Sequence, residues 1–142
     1  MKKNIIIGIV IGVLIIALFL LFFMEGNSRL VIQVGQKNGG FIDSTNPDVL
    51  MRIEYNVYSN HKVLIEKEYG GNNVKKENYK ISKEKYDELI NLIEHRNENE
   101  GLGRAWDYMG PRLRCFNENG EEESLNISEA YYDQIKTILK NN

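Results

Sequence analysis

Met51-Arg52-Ile53-Glu54-Tyr55-Asn56-Val57 alternates apolar and polar residues without a break. Successive side chains leave a pleated backbone on opposite sides, so period two marks a strand with one buried and one solvated face. The stretch predicts a half-buried strand of an antiparallel sheet, and the sequence on its C-terminal side extends that reading. Ser59-Asn60-His61 turns the chain into residues 62–69, where Val63 and Ile65 keep the alternation. Gly70-Gly71-Asn72-Asn73 turns it again into a third strand, residues 74–81, with Tyr79 and Ile81 directed to the core. Upstream, Leu30-Val31-Ile32-Gln33-Val34 predicts a first short strand, and Gly35 to Pro47, with Gly39-Gly40 and Asn46-Pro47, reads as a loop or tether.

The period changes after Ser82. This residue can cap a helix by accepting from free backbone N–H groups, Glu84 complements the positive end of the helix dipole, and Tyr86, Leu89, Ile90 and Ile93 recur as one apolar stripe. The helix is expected to fade near His95, before the polar run Asn97-Glu98-Asn99-Glu100-Gly101. A loop through Gly110-Pro111 leads to two strands, residues 112–116 and 123–127, joined by Asn117-Glu118-Asn119-Gly120, in which Asn-Gly is a strong hairpin signal. Ser128 caps a last helix with Tyr131, Ile135, Ile138 and Leu139 on one face and Lys136 and Lys140 near its negative end. The same serine explains Asn126-Ile127-Ser128 without invoking glycosylation.

The other decisive stretch is Ile5 to Met24, an uncharged apolar run. As a helix of about 20 residues it would be roughly 30 Å long, the thickness of a bilayer's hydrocarbon core. Lys2 and Lys3 on one flank and Glu25 on the other favour a cytoplasmic N-terminus. Gly26 and Ser28 have the spacing of a signal-peptide cleavage site, but such peptides have a shorter apolar core, so an uncleaved anchor is the first reading and a cleaved, secreted protein the alternative. Gly8 and Gly12 could allow close helix approach, though glycine is frequent in membrane helices.

The expected fold class is therefore α+β: an N-terminal transmembrane helix, then a small domain with an antiparallel β-meander and hairpin plus two helices packed on the sheet. The expected boundaries are 1–4 cytoplasmic, 5–24 transmembrane as a signal anchor, 25–49 a tether with a short strand, and 50–142 an extracytoplasmic domain. This makes a single-pass cell-membrane protein, attached through Ile5 to Met24, whose partner is an envelope protein. The absence of disulfides points to a bacterial envelope, because Cys115 is the only cysteine.

Residues 25–142 keep 16 basic and 20 acidic side chains, a formal charge of −4, with the basic residues interspersed among Glu. Nucleic acid is not an expected partner of such a surface. Arg104, Arg112 and Arg114 come nearest to a basic cluster. No metal is expected either, since His61 and His95 have no second His or Cys at ligand spacing and Glu94, Glu98 and Glu100 do not follow a calcium-loop pattern. No phosphate-binding, dinucleotide-binding or nucleophile-elbow motif occurs, so neither cofactor nor catalytic set is expected. Cys115 alternates with Leu113 in a predicted strand and reads as a small core residue; a hydrolase using Cys115 with one His and a carboxylate is the alternative.

One segment has the composition of a contact surface. Arg104-Ala105-Trp106-Asp107-Tyr108-Met109-Gly110-Pro111-Arg112 gathers the only Trp, a Tyr and two Arg, residue types enriched where proteins bind. Trp106 can instead fill the gap between sheet and helix, with Asp107 pairing an Arg. Arg104, Trp106, Asp107, Tyr108 and Arg112 are the candidate interaction residues. The functional expectation is a non-catalytic interaction, accessory or immunity-type module.

Overall fold

The computed structural model describes residues 12–16, 28–38, 45–96 and 110–140. Its strands are β1 (Leu30–Lys37), β2 (Leu50–Tyr58), β3 (Lys62–Tyr69), β4 (Asn73–Lys80), β5 (Arg112–Phe116) and β6 (Glu122–Asn126). They form one antiparallel sheet in the order β4-β3-β2-β1-β5-β6. The first strand is thus an interior one. Val34 lies opposite both Tyr55 of β2 and Leu113 of β5, and Ile32 and Val34 are 1% and 0% exposed. A register shift between Leu30 and Ile32 leaves Val31 out of the pairing, and both Val31 and Ile32 pack against the core, as a bulge permits.

Residues 12–16 are helical (α1), and two longer helices, α2 (Lys83–Glu94) and α3 (Glu129–Leu139), pack on the sheet. Each of these two begins at the predicted serine: Ser82 Oγ accepts from the Lys85 amide at 3.3 Å and Ser128 Oγ from the Tyr131 amide at 3.2 Å. Leu89 and Ile93 of α2 and Tyr131, Tyr132, Ile135 and Leu139 of α3 meet Ile32, Val34, Val57, Val63, Ile65 and Leu113 of the sheet in one core. The helices cross the sheet in opposite directions. Near β4 the Tyr79 hydroxyl donates to the Leu139 carbonyl and Lys85 Nζ to the Lys140 carbonyl at 2.7 Å; near β6 the C-terminal end of α2 is held by Arg96 against Glu123 at 2.9 Å. Between these ends the Tyr131 hydroxyl donates to the Leu92 carbonyl at 3.0 Å.

The expected fold class is corrected in two respects. Among the described residues no helix is long and apolar enough to cross a membrane; the described part of the apolar run, residues 12–16, is helical. The remainder of Ile5 to Met24 lies outside the described residues. The transmembrane helix, the attachment through it, and the cell-membrane localisation with a cytoplasmic N-terminus and extracytoplasmic domain lose their basis with it. Secondly, the described protein is a six-stranded antiparallel sheet with three helices, in which meander and hairpin are welded by β1.

Leu113 sits where β1, β5 and the helices meet and is fully buried. Leu113→Ala is expected to cost about 2–5 kcal/mol, the range for a buried leucine whose cavity cannot collapse, read as a lowered urea midpoint with unchanged slope.

Candidate functional site

With α2 and α3 on one side, side chains of opposite parity in each strand face the other side, which no described helix covers. The register brings them together in rows across the sheet. Gln33 lies opposite Asn56 and Arg114, Gly35 opposite Glu54 and Arg112, and Lys37 opposite Arg52. In the first row, Arg114 Nη1 donates to Gln33 Oε1 at 3.1 Å and Gln33 Nε2 to Asn56 Oδ1 at 2.8 Å. That chain of bonds ties three strands together and satisfies Asn56, which is buried.

The second row has a gap in it. Gly35 has no side chain, and a Cβ there would stand 2.8 Å from the Ile53 carbonyl oxygen and 3.3 Å from Glu54 Cγ. The glycine is required by close approach of the neighbouring strand, whose Glu54 stem lies against it. Around Gly35 this face sinks into a depression of about 270 Å³, lined among others by Gln33, Lys37, Arg52, Glu54, Arg112 and Arg114.

Its charge is one-sided. Arg52 is held by Glu68 at 3.2 Å and Glu54 at 3.8 Å, and Arg114 Nε lies 3.4 Å from Glu122. Lys37 and Arg112, both exposed, have no carboxylate within ion-pair distance among the described residues. A second, wider depression, lined by Tyr55, Glu77, Tyr79, Asp133, Lys136 and Lys140, balances two cations against two carboxylates; Lys136 pairs Asp133 at 2.7 Å and Lys67, from beside it, pairs Glu77 at 2.6 Å. Lys140 there likewise has no ion pair among the described residues, but two carboxylates share its depression, whereas around Gly35 four cations share the single carboxylate Glu54.

Of the residues singled out by composition, Arg112 is in this depression, whereas Arg104, Trp106, Asp107 and Tyr108 lie outside the described residues. Lys37, Arg52 and Gly35 carried no local signal. They reach the site through the pairing of β1 with β2 and β5, and only the alternation of Arg112 with Arg114 was visible in the chain.

The other candidate chemistry is not brought together. Burial pushes the Cys115 thiol up, with the Arg96 guanidinium opposing and Glu123 adding to the shift; a nucleophilic cysteine needs the opposite. His95 Nδ1 donates to the Asn91 carbonyl at 3.0 Å at the end of α2. His61 occupies a hairpin turn with φ of 65° and stacks on Tyr86, ring centroids 4.5 Å apart. Among the described residues no group of three His, Cys, Asp or Glu is arranged to hold a metal ion. Set against known proteins, the chain matches no family model, no curated protein and no solved structure.

Gly35→Ala must push β2 away from β1 and is expected to lower stability by about 1–3 kcal/mol, the usual cost of overpacking, as a drop in Tm. Cys115 in the folded chain is expected to react with a thiol-titrating disulfide near neutral pH at least about tenfold more slowly than in the urea-unfolded chain, because its raised pKa and burial both reduce accessible thiolate.

Proposed function

We propose that this chain is a non-catalytic interaction module that holds an anionic group of its partner in the depression around Gly35. The observation that carries the reading is the pair Lys37 and Arg112. Both project from the sheet face opposite α2 and α3, flank a glycine floor and have no acidic partner among the described residues.

Physical chemistry favours a ligand there. An arginine fork meets a carboxylate or phosphate through two parallel hydrogen bonds, and a lysine adds a point charge beside it. The remaining polar groups of the depression are already ordered: Gln33, Asn56 and Arg114 hold each other, and Arg52 is fixed between two glutamates. Binding therefore immobilises few side chains, which lowers its entropic cost. The alternative of a Cys115 hydrolase draws on a thiol shifted away from reactivity and on histidines engaged elsewhere.

The test is a titration of the isotope-labelled full chain with poly-L-glutamate at low ionic strength, followed by amide shifts. Residues 33–37, 52–54 and 112–114 are expected to move, added salt to reverse the movement, and Arg112→Glu to weaken binding about tenfold or more. Shifts confined to α2 and α3, or binding indifferent to Arg112→Glu, would refute the site.

A further inference from the structure

Resting on the reading that this face holds an anionic group, we infer that the group belongs to an extended acidic segment of a partner protein, with carboxylates at alternate positions, lying along the boundary of β1 and β5. The geometry of the cations points to it. Gly35 faces Arg112 and Gln33 faces Arg114, so Arg114, Arg112 and Lys37 succeed one another along the strand direction in steps of two residues. Each step is about 6.8 Å and the whole row about 14 Å, the repeat of side chains on one face of any extended chain. A segment of the pattern acid-x-acid-x-acid laid parallel to the strands meets all three cations. A helix presenting acids at every fourth residue advances about 6.0 Å per step and is out of register by about 1.6 Å at the third cation.

The surroundings restrict both the path and the chemistry. From Gln33 to Gly35 and from Arg112 to Arg114 the strands are paired on both edges, so this part of the site offers no nest of free amides of the kind that cradles a phosphate. What it offers are separate side-chain cations in a line. On the β2 side the depression is walled by Glu54, whose side chain is 16% exposed, with Glu66 and Glu68 beyond it. These three carboxylates face two cations, Arg52 and Lys76, so the β2 side keeps an excess of negative charge that disfavours an acidic chain there and leaves it the strip above β1 and β5. At the far end Arg114 is held by Glu122 through a pair with side chains 39% and 43% exposed. Such a wet pair contributes little, so an incoming carboxylate can replace Glu122 at small cost.

The experiment uses the full chain and four probes in low salt: the capped peptide Glu-Ser-Glu-Ser-Glu, the capped peptide Glu-Glu-Glu-Ser-Ser, a helical peptide with Glu at every fourth position, and a single-stranded oligonucleotide of equal charge. The alternating peptide is expected to bind about tenfold more tightly than each of the others, and Lys37→Glu and Arg112→Glu each to weaken it about tenfold, while Lys62→Glu, outside the strip, leaves it unchanged. Equal affinity of the two short peptides, with Arg112→Glu weakening both, would overturn the extended register and leave the anion site standing. Tighter binding of the helical peptide or of the oligonucleotide would overturn the segment in favour of those ligands. Failure of all four probes, and of poly-L-glutamate, would overturn the site itself.

Discussion

Strand β1 is paired along both edges, with β2 over most of its length and with β5 over Ile32 to Gly35, and the arrangement of the rest follows from this. Because it is interior, its apolar side chains must be covered, and Ile32 and Val34 become the floor on which α2 and α3 rest. Because β1 is paired on both edges, the meander on one side of it and the hairpin on the other form one continuous sheet. The bulge at Val31 turns an additional apolar side chain toward the helices, where it extends the core to the side of α2.

The same constraint creates the other face. Two helices of 12 and 11 residues cover the core side chains of the sheet, and the opposite parity of β1, β2 and β5 is largely polar, with Gln33, Lys37, Arg52, Glu54, Asn56, Arg112 and Arg114 on it. On that side charges are sorted. Glu54, Glu66 and Glu68 occupy the middle of the sheet and share two cations, Arg52 and Lys76, whereas the cations of β1 and β5 are only partly matched. Gly35 is the hinge of this division: by letting the Glu54 stem lie against β1 it holds a carboxylate on one flank and leaves the other flank open to Arg112.

Local chemistry made much of the fold readable. The alternation of residues 51–57 corresponds to β2, the serine caps at Ser82 and Ser128 start α2 and α3, and Asn119-Gly120 turns the hairpin, with Gly120 at φ of 79°. These signals act over a few residues. The central place of β1 is a different kind of fact, since Ile32 meets Cys115 across 83 positions and no periodicity encodes which edge a strand will join. The apolar run Ile5 to Met24 is the converse case: its hydropathy matches a span, while among the described residues no helix is long and apolar enough to cross a membrane. The site divides in the same way. Arg112 stood out by its company in sequence, but Lys37 and Arg52 join it only through strand register, and Gly35 looks like any loop glycine until the backbone beside it is known.

The long separation between β1 and β5 also sets an order of assembly. Strands β1 to β4 follow one another through short or moderate connections and can pair as they leave the ribosome, whereas β5 and β6 are made after α2. Until then the edge of β1 that carries Ile32 and Val34 is bare, with unpaired backbone groups beside apolar side chains, the feature by which nascent sheets recruit other chains. Synthesis of Arg112–Phe116 closes that edge. The last-made strands thus cover the edge of the first, and a copy that stops before Arg112 keeps that edge open.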